Sequence, residues 1–283
     1  MPSALEAALR RHRAWSIAAL VLLSLLAWVS LIDGAGTGMA PVVSLPPLGA
    51  RAAMTAGAMS GANSGPMPAM PMASPTWWAA GQFVPTASMW LIMMIAMMLP
   101  SAAPTILLYA RAATHGRAPT RPATASFLTG YLVAWAGFSL VAAALQLLLE
   151  QGGALSPMLM ATHSPWPAAL ILVAAGLYQL SPVKDVCLRH CRNPAQFLSR
   201  HYRPGRLGAA RMGVVHGCYC IGCCGILMAL LFVGGVMNLA WIALLTLLVA
   251  AEKMLPHGRK VALVTGLACV AAGMTIALSV PLR

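Results

Sequence analysis

The chain has 283 residues, of which 60% are hydrophobic and only 8% are charged, and its mean hydropathy is +0.79. Soluble globular domains carry about 25% charged residues, so this composition excludes a water-soluble globular protein. The net charge of +13 has the sign that nucleic-acid binding requires, but the basic residues lie between apolar runs, which argues against that function.

Apolar runs recur along the whole chain. A run of about 20 helical residues crosses a bilayer, and only helices satisfy their own backbone hydrogen bonds in lipid within one segment. We therefore predict an all-α, polytopic transmembrane helical bundle of about seven helices. The runs are Ala14–Ile32, Val84–Tyr109, Thr124–Leu149, Pro165–Leu180, Ala209–Val233, Met237–Leu255 and Val261–Val280.

The basic residues lie in alternate loops between these runs. Only Arg51 and Arg283 fall in the other set of loops. Because Lys and Arg are in excess in cytoplasmic loops, the sequence predicts a multi-pass protein of the bacterial inner membrane with a cytoplasmic N-terminus. The basic loops are expected to bind anionic membrane lipids. Residues 1–33 are interpreted as a retained N-terminal anchor helix, since no small-residue cleavage pattern follows the first run.

Residues 34–82 follow the first run as a long extracytoplasmic segment rich in Met, Pro and Gly. Such a composition predicts a flexible loop. Its methionines include Met67, Met70 and Met72. Residues 83–283 then form the predicted six-helix membrane domain.

The second apolar run contains regularly spaced methionines. At about 100° per residue, Met89, Met93 and Met97 share an arc of about 80° on one helix face. Thioether sulfur is a soft ligand that suits Cu(I). The loop methionines and this face are therefore candidates for a metal path toward the cytoplasm. Packing is the alternative, because Met commonly fills helix interfaces. Pro100 and Pro104 are expected to kink the helix.

Two clusters hold six of the seven cysteines. Cys187, His190 and Cys191 are spaced i, i+3 and i+4, so one helical turn can aim all three at one point. The second cluster lies in the fifth run. On an ideal helix, the residues of its Cys/His face lie within about 100° of one another, and Cys218 points elsewhere, at about 200°. The Cys/His face comprises His216, Cys220, Cys223 and Cys224.

Thiolate and imidazole together favour Cu(I), Zn(II) or an iron–sulfur centre. Cytoplasmic thiols are kept reduced, so permanent disulfides are not expected. We predict a metal ion bound by both clusters, with Cu(I) favoured and Zn(II) as the alternative. Cysteine also packs as a small hydrophobe, which is the plain structural alternative for these positions.

Several motifs resemble a bacterial family of integral membrane proteins of unknown function that are labelled as predicted metal-binding. The resemblance spans about Trp90 to Pro256. It implies a polytopic inner-membrane protein with a metal site at the Cys and His positions named above. The motifs are Met93-Met94-Ile95-Ala96-Met97-Met98-Leu99-Pro100-Ser101, Cys187-x-x-His190-Cys191, His216-Gly217-x-Tyr219-Cys220-x-Gly222-Cys223-Cys224, Gly235-Val236-Met237-Asn238-Leu239 and Glu252-Lys253.

The function predicted from these features is Cu(I) handling, either uptake or delivery, with a copper chaperone or a cuproprotein as partner. A membrane thiol-redox enzyme is one alternative, and a structural or assembly factor with a metal staple is another. The sequence contains no ATP-binding loop, catalytic triad or paired carboxylate, so a non-enzymatic function is favoured. Glu252 and Lys253 are interpreted as charges at a helix end.

Overall fold

The computed structural model describes residues 4–35, 43, 80–115, 120–156, 160–162, 164–203 and 205–279. Within them the chain is almost entirely helical, apart from two antiparallel β-strands of two residues each, β1 (Leu155–Ser156) and β2 (Ala161–Thr162), which form a β-hairpin. The helices are α1 (Ala4–Ile32), α2 (Ala80–His115), α3 (Thr120–Gln151), α4 (Pro165–Leu180), α5 (Pro182–Arg192), α6 (Pro194–His201), α7 (Gly205–Met228), α8 (Leu231–Gly234), α9 (Leu239–Met254) and α10 (Gly258–Ser279). The predicted all-α fold is confirmed.

Seven membrane spans are predicted from the sequence, and fewer helices than seven among the described residues reach the length that a span requires. In the described part of the chain, five helices are long and apolar enough, and a sixth span is formed if α4 and α5, which meet at 65°, count as one. The run Met237–Leu255 forms α9, which has only 16 residues. Local contacts set the ends of α9: Asn238 caps its start through its side chain, and the helix ends at Met254.

The long helices alternate in direction. Trp90 Nε1 donates a hydrogen bond to Gln146 Oε1 at one end of the α2–α3 pair, and Tyr109 stacks on Phe127 at the other, so the two helices are antiparallel. The β-hairpin follows α3 at the first end, where the backbone N–H of Val236 donates to Met160 O. The end of α2, the start of α3 and the start of α7 lie at the opposite end, which we call the basic end, whereas α5 packs farther along α7, at Gly222 and Cys223.

Small residues bring two helix pairs into close contact. A Cβ added at Gly213 of α7 would lie 2.0 Å from the carbonyl oxygen of Phe127 in α3, and one added at Gly130 of α3 would lie 2.0 Å from that of Ala210. Helices α4 and α10 approach similarly, since a Cβ at Gly176 would lie 2.6 Å from the carbonyl oxygen of Gly266. Backbones approach this closely where small residues line membrane helix interfaces. The α3–α7 contact fixes the position of α7 in the bundle.

Candidate metal centre

Five sulfur atoms from three helices gather in the interior of the bundle, midway along α2 and in the last third of α7. The Sγ atoms of Cys191 on α5 and Cys223 on α7 are 3.7 Å apart, and Cys224 Sγ is 3.5 Å from the Sδ atom of Met98 on α2. Cys220 lies one turn before Cys224 and interacts with Cys191. We call Met98, Cys191, Cys220, Cys223 and Cys224 the sulfur cluster. Its four residues on α2 and α7 are buried, at 0–1% exposure, and Cys191 is half-buried.

Helical geometry places the Cys/His face toward the protein interior. His216, Cys220, Cys223 and Cys224 are all buried, whereas Cys218 is exposed. The predicted orientation of this face, with Cys218 off it, is therefore confirmed. The Sγ atoms of Cys223 and Cys224 lie 3.2 Å and 2.9 Å from the carbonyl oxygen of Cys220, so both thiols have a local hydrogen-bond partner.

His216 occupies an aromatic pocket one turn before Cys220. Its ring lies 5.2–6.1 Å, between centroids, from the rings of Phe127, Tyr131 and Phe197. The side chain is 2% exposed, and its Nδ1 atom has no hydrogen-bond partner among the described residues. An unpartnered buried imidazole nitrogen is costly, so this atom is available to a ligand.

The structure separates the members of the first cysteine cluster. Cys191 joins the sulfur cluster, and Cys187 packs against Gly222 of α7, where an added Cβ would lie 2.7 Å from its Sγ atom. His190 instead stacks on Tyr219, with ring centroids 4.2 Å apart, and its Nδ1 atom lies 2.8 Å from the carbonyl oxygen of Val186. All three residues lie on α5, in agreement with the helical turn that their spacing allows.

Lys253 is a member of the site that the sequence interpretation did not assign. Its Nζ atom lies 3.0 Å from Cys220 Sγ and 3.7 Å from Cys224 Sγ, and it donates to Ser101 Oγ at 3.3 Å. The hydroxyl of Tyr131 lies 3.3 Å from Cys220 Sγ as well. A positive charge therefore adjoins the thiols inside the bundle.

Glu252, the neighbour of Lys253, points to different partners. Its carboxylate accepts hydrogen bonds from Lys184 Nζ at 2.6 Å and from Gln179 Nε2 at 2.7 Å. Lys184 lies in the first turn of α5 and Gln179 lies near the end of α4, so this carboxylate connects both sides of the α4–α5 bend to α9. Glu252 and Lys253 are therefore interior groups with separate partners rather than solvated charges at a helix end.

The methionines of the predicted path are placed only in part. Met89, Met93 and Met97 are buried in the core at 0–1% exposure. Met98, which follows Met97 in the sequence and lies beside the predicted face, contacts the Cys224 thiol of the cluster. The loop methionines Met67, Met70 and Met72 lie outside the described residues.

Comparison with known proteins adds a family to this geometry. A family model named PpoB2 and described as copper chaperone matches residues 87–276. The chain belongs to this family. No curated protein and no solved structure matches the chain. The match agrees with the metal-related family predicted from the motifs, and it supports copper as the metal that the family handles.

The matched range of the copper chaperone family contains the whole sulfur cluster, His216 and Lys253, and it begins after residues 34–82. Within the described residues, no group of three or more Cys, His, Asp or Glu side chains is arranged to hold a metal ion. The donors are instead arranged in close pairs, Cys191 with Cys223 and Cys224 with Met98. Soft thiolate and thioether donors select Cu(I), whereas structural Zn(II) sites are closed by four ligands.

Proposed function

We propose that the protein is an integral membrane copper chaperone that binds Cu(I) as cargo at the sulfur cluster and delivers it to a partner protein. The observation that carries this proposal is the meeting of four thiols and one thioether from α2, α5 and α7. Their softness matches Cu(I), and their pairwise arrangement matches an ion that accepts few ligands better than it matches Zn(II).

The residues have distinct proposed roles. Cys191 and Cys223 supply one pair of thiolate donors, and Cys224 with Met98 supplies a thiolate and a thioether. Cys220 lies beside both pairs, and the free Nδ1 atom of His216 is an additional donor at the edge of the cluster. Cys187 and His190 remain predicted ligands of secondary rank, because each has a packing partner on α7 in the structure.

Basic residues close to the cluster support delivery on the cytoplasmic side of a bacterial inner membrane. Arg192, next to Cys191 on α5, donates to the carbonyl oxygens of Leu255 and Pro256, and Arg259 pairs with Asp185 of α5. Basic residues mark the cytoplasmic side. We propose this orientation, with anionic lipids at the basic end, and a path for copper along Met89, Met93 and Met97 toward the cluster.

A competition titration tests the proposal. The full chain in detergent micelles is mixed with Cu(I) and a chromogenic Cu(I) chelator, and the affinity is measured for the parent protein and for C191A/C223A. Cys269→Ala and Cys218→Ala are matched controls, since Cys269 is buried outside the cluster and Cys218 is exposed. We expect the double variant to lose at least about a hundredfold in Cu(I) affinity, or ~2.7 kcal/mol, and both controls to retain it. Equal affinity in all four proteins contradicts the proposal.

The distance of 3.7 Å between the Cys191 and Cys223 sulfurs also favours a second candidate, a dithiol–disulfide function. A thiol–disulfide enzyme requires this pair to cycle between the two states. In that case C191A/C223A abolishes disulfide exchange with a model dithiol while Cu(I) binding persists through Cys220, Cys224 and Met98. The copper proposal expects the opposite pattern.

A further inference from the structure

Lys253 places a buried ammonium group directly against the sulfur cluster. It lies in the last turn of α9 and is 8% exposed. Its Nζ atom is 3.0 Å from Cys220 Sγ, 3.7 Å from Cys224 Sγ and 3.3 Å from Ser101 Oγ. The thiols are thus its nearest groups that are able to carry a negative charge.

No carboxylate of the described residues balances this ammonium. The adjacent carboxylate, Glu252, is engaged by Lys184 and Gln179, and the other described ion pair joins Arg259 to Asp185. A buried charge is costly unless it is paired. The thiols of Cys220 and Cys224 are therefore the groups placed to supply a balancing negative charge when they bind a metal as thiolates.

A count of formal charge distinguishes two metals in this environment. One Cu(I) held by two thiolates carries one net negative charge, and the ammonium of Lys253 brings the total to zero. One Zn(II) held by two thiolates is already neutral, so the same ammonium leaves one net positive charge. The count uses two thiolates because Lys253 Nζ contacts two thiols of the cluster, those of Cys220 and Cys224. An uncompensated charge costs much more in a low-dielectric interior than in water.

We propose that Lys253 is a specificity-determining residue that makes the site selective for a monovalent soft cation over a divalent one. This inference rests on the proposed Cu(I) site and adds the reason for its selectivity. Lys253 does not ligate the metal, because an ammonium group has no lone pair to offer. It acts through the charge it contributes beside Cys220 and Cys224.

The test measures Cu(I) and Zn(II) affinities separately on the same preparations of full-length protein, with a chelator of known affinity for each metal. Variants are K253M, K253Q and K253R, with K260M as a control because Lys260 is exposed at the start of α10. We expect the ratio of Cu(I) to Zn(II) affinity to fall on the order of a hundredfold in K253M and K253Q. K253R keeps the charge and is expected to keep most of the ratio, and K260M all of it.

The outcomes separate this inference from the proposed function. If the parent protein binds no Cu(I), the proposed function is wrong and the inference falls with it. If the parent protein binds Cu(I) but K253M and K253Q keep the parent ratio, the inference alone is overturned. A loss of folded protein lowers the binding of both metals together, so it cancels from the ratio. Equal weakening of both metals in K253M, with the ratio unchanged, assigns Lys253 a packing role and also overturns the inference.

Discussion

Replacing Glu252 by alanine would leave Lys184 without its partner in the interior of the bundle. The two side chains are 2% and 0% exposed, and their charged atoms are 2.6 Å apart. Removing one member of a buried ion pair leaves an uncompensated charge and costs about 3–5 kcal/mol. The loss should fall in this range, because Gln179 Nε2 also loses its acceptor on Glu252. We therefore expect E252A to lower the free energy of unfolding by about 4 kcal/mol.

The assay is equilibrium unfolding of the purified chain in mixed detergent micelles. Asp185→Asn is the matched control, because it breaks an exposed ion pair. The side chains of Asp185 and Arg259 are 23% and 33% exposed. Such a pair contributes about 0–1 kcal/mol. The double variant K184M/E252L replaces the buried pair by apolar groups and should recover most of the stability that E252A loses.

Two results would refute this reasoning. If E252A unfolds within ~1 kcal/mol of the parent protein, Lys184 finds another partner and the pair does not hold the α4–α5 bend. If K184M/E252L is as unstable as E252A, the loss comes from packing around Glu252 rather than from the unpaired charge of Lys184.

Three further predictions concern the cluster and the helices that hold it. Met98→Leu removes one soft donor and should weaken Cu(I) binding about tenfold, whereas Met97→Leu should have little effect; both are read by chelator competition. Gly213→Ala adds a Cβ 2.0 Å from a carbonyl oxygen of α3 and should destabilise the chain by about 1–3 kcal/mol or more in the unfolding assay. Mild oxidation should form a disulfide between Cys191 and Cys223, detected as two proteolytic fragments that stay linked until reduction, and bound Cu(I) should prevent it. If the fragments never link, the α5–α7 contact is contradicted.

Helical periodicity predicted the orientation of α7 because that property is local. His216, Cys220 and Cys223 are buried and Cys218 is exposed, as the angles of an ideal helix require. The same argument applied less well to His190. Spacing of i, i+3 and i+4 puts three side chains on one helix face, but it does not say which group of the neighbouring helix each will contact. In the structure His190 stacks on the ring of Tyr219 and is not part of the sulfur cluster.

The site residues that sequence reasoning missed, Met98 and Lys253, depend on tertiary contacts. Met98 is one residue from the predicted methionine face, and only the position of α7 selects it over Met97. Lys253 was interpreted together with Glu252 because the two are adjacent in the sequence. A lysine within an apolar run was the available signal, since a charge inside a membrane helix marks a functional site. Its partners were not predictable from spacing, because they lie on α2 and α7.

Adjacent residues on a helix project about 100° apart, and α9 uses this difference to contact two parts of the site at once. Glu252 binds the first turn of α5 through Lys184, while Lys253 contacts Cys220 on α7. Helix α5 carries Cys191, which reaches Cys223 on α7. The end of α9 therefore positions α5, which carries the Cys191 thiol, and also places the charge of Lys253 beside the thiols of α7. A displacement of α9 would change both together, so the arrangement of donors and their charge balance depend on one helix end.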